Sequence, residues 1–198
     1  MRKKACILLT NGFEEAEAII IVDILRRLEI PIDILSGQQS THLTSYHDIS
    51  LIADDLLKNR MDDIYDAIIL PGGPQNSQSL SGNPQVIDFL KRHDEAGAWV
   101  CPICSTPAKV MDCHNLLKGR RYVCTGDLHL SVTDGIYIDE DVVLDGNLLT
   151  SRGLGVVFEF SFTLGNLLLK DQTPAINLAK HIDFVHWPVS RRSRICSL

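Results

Sequence analysis

Ala98-Trp-Val-Cys-Pro-Ile-Cys-Ser-Thr-Pro-Ala-Lys-Val-Met111 lies near the middle of the 198-residue chain, and its reading decides the fold. The apolar run from Ala98 to Ile103 has the length and the β-formers of a buried strand. It stops at Cys104, after which Ser105, Thr106 and Pro107 open a stretch of helical character, Ala108 to Met111. Proline fits the first turn of a helix, where no intrahelical N–H is needed, and Ser105 stands where it would cap that turn. Cys104 is therefore expected at a strand-to-helix corner, above the carboxyl end of a sheet and facing the positive end of a helix. A thiol so placed is expected to have a lowered pKa, the property that nucleophilic and redox cysteines need. An isolated cysteine in an apolar segment is by default a buried structural residue. The turn residues around Cys104 argue against that default.

The segments on either side extend the same pattern. Lys4 to Thr10 is strand-like and ends in a turn at Asn11-Gly12. Phe13 to Glu29 reads as a helix, with Ile20, Ile21, Ile24, Leu25 and Leu28 near helical spacing and Arg26 and Arg27 in its last turns. Ile30 to Leu35 follows as a second strand, so the chain opens as a parallel βαβ unit. Thr41 to Ile52 holds two short strands about a turn at Tyr46-His47-Asp48, and Tyr65 to Leu70 is a buried strand ending in Pro71-Gly-Gly-Pro74. Pro84 to Glu95 is helical. Past Asn115, short β segments are expected at Arg121 to Thr125, Ile136 to Ile138, Val142 to Leu144 and Leu148 to Thr150, with a hairpin turn at Asp145-Gly146. Helices from Val156 to Lys170 and Thr173 to His181 complete a three-layer α/β sandwich with a mostly parallel sheet.

Length and composition set the bounds. The chain is long enough to bury a core without staples, and 45% hydrophobic with 22% charged residues is ordinary for one soluble domain, taken as residues 1–188. A basic tail, 189–198, carries Arg191, Arg192 and Arg194. A net charge of −6 argues against nucleic-acid and membrane-surface partners. No apolar run approaches the ~20 residues that span a bilayer. The first apolar run, Ala5 to Leu9, is too short for a signal peptide. The six cysteines are irregularly spaced, which points to free thiols in a reducing cytoplasm.

Sites in open α/β sheets form outside the carboxyl ends of the strands. Three such ends are suggestive here: Asn11-Gly-Phe-Glu-Glu-Ala-Glu17, Pro71-Gly-Gly-Pro74 and Cys104-Ser105. Glycines after a strand let backbone N–H groups face a substrate or an oxyanion. Cys101-Pro-Ile-Cys104 has thioredoxin spacing, but Cys101 falls within the strand and reads as core. A zinc site from Cys101, Cys104, Cys113 and His114 would need a convergence that strand and helix do not offer, and no metal is expected. No phosphate-binding loop of Walker type is present, and no cofactor is expected.

Gly12-Phe-Glu-Glu-Ala-Glu17, Leu70-Pro-Gly-Gly73, Ile103-Cys104 followed by Pro107, and Thr150-Ser-Arg-Gly-x-Gly155 with Phe158-Glu-Phe160 together resemble the PfpI/ThiJ superfamily. They look closest to the branch of the Parkinsonism-associated protein deglycase and its bacterial relatives. The resemblance runs in order from about Lys3 to Lys170. It implies a flavodoxin-like α/β/α sandwich of the class I glutamine amidotransferase type, a homodimer, and a reactive cysteine on a nucleophile elbow. Carried over, Cys104 is that cysteine, and Glu17 is a protonated carboxyl that hydrogen-bonds the thiolate or sulfinate. The backbone amides of Gly73 and Ser105 are then the oxyanion donors. Desolvation and a neighbouring anion would both raise the pKa of Glu17, in keeping with such a role.

The chain also departs from that pattern. Family members active as glyoxalases or deglycases often have a histidine about twenty residues after the nucleophile; counting along the resemblance puts Cys124 there. A thiol at that place could instead resolve an oxidised Cys104 as a disulfide, though a small buried strand residue pointing away is the favoured reading. The family's partner-subunit arginine aligns with His47, which reads first as a partly exposed loop histidine and otherwise as a proton shuttle across a dimer interface, and Leu154 stands for a proline. The leading expectation is a cysteine-dependent stress-response enzyme acting on reactive dicarbonyls such as methylglyoxal, or on their protein adducts. The alternative is a non-catalytic oxidative-stress sensor or holdase chaperone in which Cys104 is oxidised to sulfenic or sulfinic acid. A peptidase is disfavoured, because the superfamily's proteases have a histidine directly after the nucleophile where this chain has Ser105.

Overall fold

The computed structural model describes residues 3–184 and 187. The basic tail expected over 189–198 lies outside the described residues. Strands β1 (Ala5–Leu9), β2 (Ile32–Ser36), β5 (Asp55–Leu56), β6 (Ala67–Leu70), β7 (Trp99–Pro102), β10 (Val142–Asp145) and β11 (Leu148–Ser151) form one sheet in the order β10-β11-β7-β6-β1-β2-β5. Every pairing is parallel except β10 with β11, the hairpin at Asp145-Gly146. Two ribbons stand apart: β3 (His42–Thr44) antiparallel to β4 (Ser50–Ile52), and β8 (Arg121–Tyr122) beside β9 (Ile136–Tyr137).

Alternation along the strands splits the core into two layers. Ile7, Leu9, Ile69 and Ile103 face α1 (Glu15–Arg27), α4 (Val157–Leu169) and α5 (Thr173–His181), where Ile21, Leu25, Phe160 and Leu164 meet them. Leu8, Ile68, Leu70 and Val100 face the opposite way, onto Leu80 of α2 (Pro74–Ser81) and Phe89 and Leu90 of α3 (Pro84–Glu95). The central strands β1, β6 and β7 are thus buried on both faces, which is why they read as continuous apolar runs. Cys101 is fully buried in the first layer. No described helix is long and apolar enough to cross a membrane.

Five elements differ from the sequence reading, the first being the two-residue edge strand β5, which it did not contain. The first helix begins at Glu15 because Gly12, at φ +75°, turns the chain and Phe13 is spent bonding the hairpin, accepting the Tyr46 N–H. The expected Arg121–Thr125 strand is only two residues long, because Val123 N–H bonds the Thr150 hydroxyl instead of a strand partner. Helix α2 follows Pro-Gly-Gly directly, with Pro74 at its first position, where the sequence showed only a turn. Behind Cys104 stands no regular α-helix but a five-residue π turn, Pro107–Met111, and then a single tight turn, Asp112–His114.

Candidate active site

Cys104 has φ +60°, a left-handed conformation that costs a non-glycine residue about 1–3 kcal/mol and that the surroundings must impose. They do so from both sides. Its N–H donates to Ser151 O at 3.0 Å and its carbonyl accepts the Thr125 N–H at 2.9 Å. Thr106 Oγ1 is 2.8 Å from both Leu70 O and Ile103 O, tying the ends of β6 and β7 together beneath the elbow.

Glu17 reaches the thiol from the first turn of α1 and is wholly buried, unlike Glu14 and Glu15. Its Oε2 accepts the Gly72 N–H at 2.7 Å, and the carboxyl also hydrogen-bonds the Cys104 side chain. Oε1 is buried without a close hydrogen-bond partner. Glycines surround the pair because nothing larger fits. A Cβ on Gly72 would come within 2.6 Å of Cys104 Sγ. One on Gly153, itself at φ +129°, would stand 2.8 Å from Glu17 Oε1 and 3.2 Å from Sγ. Gly73 adopts φ +99°, and a Cβ there would lie 2.1 Å from Gly12 O.

Asn76 holds the glycine turn. It is fully buried, its Oδ1 accepts from Thr10 N and Oγ1, and its Nδ2 donates to Pro71 O at 2.9 Å and Gly72 O at 3.2 Å. The N–H groups of Gly73 and Ser105 donate to no carbonyl among the described residues. The structure thus brings Cys104, Glu17, Gly73 and Ser105 into one site.

Burial pushes the Glu17 carboxyl up to about 7, against the lowering pull of the Gly72 N–H and the Cys104 hydrogen bond. Cys104 corrects the sequence reading: its thiol is pushed up to about 12, first by burial and then by the charge of Glu17. The Ser105 N–H pulls the other way and is outweighed. The lowered pKa was expected from a helix N-terminus, but a five-residue π turn supplies little of a helix dipole. Ser105 does not cap that turn either; its hydroxyl pairs with Ser77 Oγ at 2.7 Å.

The two remaining residues singled out from sequence lie elsewhere. Cys124 is buried in the layer of Val100 and Leu148, lines neither pocket at the elbow, and is a free thiol, as is Cys104. His47 is 63% exposed at the tip of the β3–β4 hairpin, with Nδ1 2.6 Å from Glu15 Oε1. Among the described residues one group could hold a metal ion, Glu14, Glu15 and His47, whose ligand atoms lie within 4.8 Å of one another. It shares no residue with the cysteines considered for zinc.

Two pockets open at Cys104. One of about 400 Å³ is bounded by Glu17, Arg152, Gly153 and Leu154. The other, about 840 Å³, runs between α2 and the turns that follow the elbow, past Ser77, Lys109 and His114. Sequence reasoning did not assign Gly72, Gly153, Asn76, Ser77, Lys109 or His114 to the site. Gly72 and Gly153 carried a signal, as parts of the Pro-Gly-Gly and Ser-Arg-Gly stretches.

The model of the DJ-1/PfpI family matches residues 3–166, most of the chain and the whole of this site. The chain belongs to the DJ-1/PfpI family. It is 52% identical to a DJ-1 superfamily protein from Salmonella typhimurium of known structure, with a TM-score of 0.90 over 91% of this chain and 98% of that one. A Caenorhabditis elegans protein named a glutathione-independent glyoxalase is 30% identical over 166 residues, 82% of this chain and 87% of its own. Protein DJ-1 homolog B of Arabidopsis thaliana is 32% identical over 156 residues, 79% of this chain. That match takes in only 36% of the Arabidopsis protein, so this chain spans little more than a third of its length. The family's flavodoxin-like sandwich is the architecture seen here, with a mostly parallel sheet between helical layers.

Proposed function

We propose that the chain is a cysteine-dependent enzyme of glyoxalase or deglycase type, acting on α-oxoaldehydes such as methylglyoxal or on their early adducts with proteins. The observation that carries the reading is the buried Cys104–Glu17 pair, ringed by Gly72, Gly73 and Gly153, with the Gly73 and Ser105 N–H groups, which donate to no carbonyl among the described residues, beside it. The relative named as a glyoxalase supports the same class of chemistry.

With a carboxyl near 7 and a thiol near 12, Glu17 is the group that exchanges protons around neutrality. Ionised Glu17 takes the Cys104 proton as Sγ bonds to the aldehyde carbon. The carbonyl π pair moves onto oxygen, where the Gly73 and Ser105 N–H groups receive the charge, and Glu17 returns the proton to give a hemithioacetal. Transfer of the aldehyde-carbon hydrogen to the adjacent carbonyl carbon then makes the lactate thioester. One carbon is oxidised and its neighbour reduced, so no outside oxidant enters. Water cleaves the thioester to lactate and restores the thiol.

Five described cysteines are free thiols, which supports a reducing compartment such as the cytoplasm. Exposed Ile19, Tyr46, Ile49 and Ile52, on α1 and the hairpin beside it, support a homodimer. The deciding assay follows methylglyoxal loss and lactate formation in wild type and Cys104→Ser. Wild-type turnover that the variant lacks is the expected result. A wild-type protein that is inert while peroxide converts Cys104 to sulfinate would replace the enzyme with an oxidation sensor, in which neutral Glu17 donates a hydrogen bond to the sulfinate.

A further inference from the structure

The larger pocket has a volume of about 840 Å³, room for a drug-sized ligand and far beyond what a three-carbon dicarbonyl fills. Its shape follows from its two helical walls. Helix α2 turns Ser77, Gln78 and Ser81 toward it, positions three and four apart that share one face. The segment after the elbow contributes Ser105, Lys109 and Cys113, one per turn.

The two walls are joined at both ends. The Ser77–Ser105 hydroxyl pair closes the gap beside Cys104. At the far end His114 Nε2 lies 2.9 Å from Ser81 O. A carbonyl only accepts, so the His114 Nε2–H donates to it. Eight helical residues at 1.5 Å each make the groove ~12 Å long.

Its lining surface is mostly apolar and includes Leu128, and the charges are sorted along it. Glu14 stands at the Cys104 end. Lys109, one turn past Ser105, has no ion-pair partner among the described residues. An anionic group is therefore repelled at the elbow and attracted further along.

We infer that this groove is a substrate subsite selecting α-oxoaldehydes, or their adducts, that carry an elongated, mostly apolar arm ending in an anionic group. The dicarbonyl lies at Cys104, the arm runs along α2, and the anion meets Lys109. The inference rests on the oxoaldehyde reading of the elbow. It places the specificity of the enzyme in α2 and Lys109, away from the reacting atoms. The reaction balances as for methylglyoxal: an aryl α-oxoaldehyde gives the corresponding mandelate with one water consumed.

The test compares kcat/KM for methylglyoxal, phenylglyoxal and para-carboxyphenylglyoxal in wild type, Lys109→Met and Gln78→Trp. Burying an aryl ring is expected to favour phenylglyoxal over methylglyoxal about tenfold or more in wild type. The carboxylate should add about three- to tenfold. Lys109→Met should erase the advantage of the carboxylate and keep that of the ring. Gln78→Trp, which fills the groove from an exposed position, should cut the ratio of either aryl substrate to methylglyoxal about tenfold. Ratios unchanged in both variants would overturn the inference.

A second readout needs no turnover: protection of Cys104 from iodoacetamide by para-acetylbenzoate, a neutral ketone at the elbow end with the carboxylate at the far end, and acetone as the control. Protection by para-acetylbenzoate that Lys109→Met weakens supports the groove even if no aldehyde is consumed, in which case only the oxoaldehyde reading fails. Turnover of methylglyoxal without such protection overturns the groove and leaves that reading standing.

Discussion

With its carboxyl pushed up to about 7 by burial, Glu17 holds a proton in the folded protein that an unfolded glutamate, titrating near ~4.3, has already lost. Between those two pH values the native state binds more protons than the unfolded one. Stability from this group is therefore full below ~4.3 and is lost as pH rises through about 7. Catalysis runs the other way, because the ionised carboxyl takes the thiol proton. Wild-type kcat/KM should rise with pH through a limb near 7. Glu17→Gln should abolish that limb and lower the rate by about 10²–10⁴. The same variant should be the more stable protein at about pH 8, by on the order of 2–3 kcal/mol, because a buried carboxylate becomes a neutral amide. Denaturant titrations across the pH range check the sign. A variant no more stable than wild type above the limb would show that burial does not set the Glu17 titration.

At the scale of elements, the site depends on α2 being locked to the end of β1. Asn76 is the lock, using both lone-pair directions and both N–H groups on Thr10 and the Pro71-Gly72 carbonyls. Asn76→Ala leaves these buried groups unpaired, and a loss of about 2–4 kcal/mol in stability is expected. It also frees the turn whose Gly72 N–H holds Glu17 and lowers its pKa. The variant should lose kcat more than it raises KM, and its acidic limb should move to higher pH. A merely destabilised protein would keep the limb in place. None of this was legible from the sequence, because Gln75 to Ser81 is polar and follows a proline-glycine turn. Its helix exists for the buried hydrogen bonds it makes and for Leu80, not for an apolar stripe. The central strands β1, β6 and β7 were legible for the opposite reason: buried on both faces, they are apolar throughout, whereas the two-residue edge strand β5 carried no such signal. The corner at Cys104 could be read from a strand end, whereas the convergence of Glu17 with it was implied by the family resemblance. The direction of the thiol pKa could not, because it is set by burial and by a carboxylate 87 positions away in the chain.

At the scale of the whole molecule, the face formed by α1 and the β3–β4 hairpin is the one that calls for a cover. The two pieces are one surface: Gly12 N–H bonds Thr44 O at 2.8 Å and Tyr46 N–H bonds Phe13 O at 2.8 Å. Ile49 and Ile52 are 54% and 66% exposed there, beside Ile19 and Tyr46, a concentration of apolar side chains that water does not favour. A second copy related by a two-fold axis would cover like with like. Such a dimer would also bear on the chemistry, because Glu14 and Glu15 follow the same turn and Glu14 bounds both pockets at Cys104. Ile52→Glu is therefore expected to shift sedimentation velocity from dimer to monomer. It should also reduce kcat/KM several-fold, while the fold of the monomer stays intact by circular dichroism. An exposed isoleucine contributes little to its own subunit, so a large loss of Tm in dilute monomer would mean that the face packs within the chain. A variant that remains dimeric would move the interface elsewhere and remove His47, at the edge of this face, from any role beside a partner's thiol.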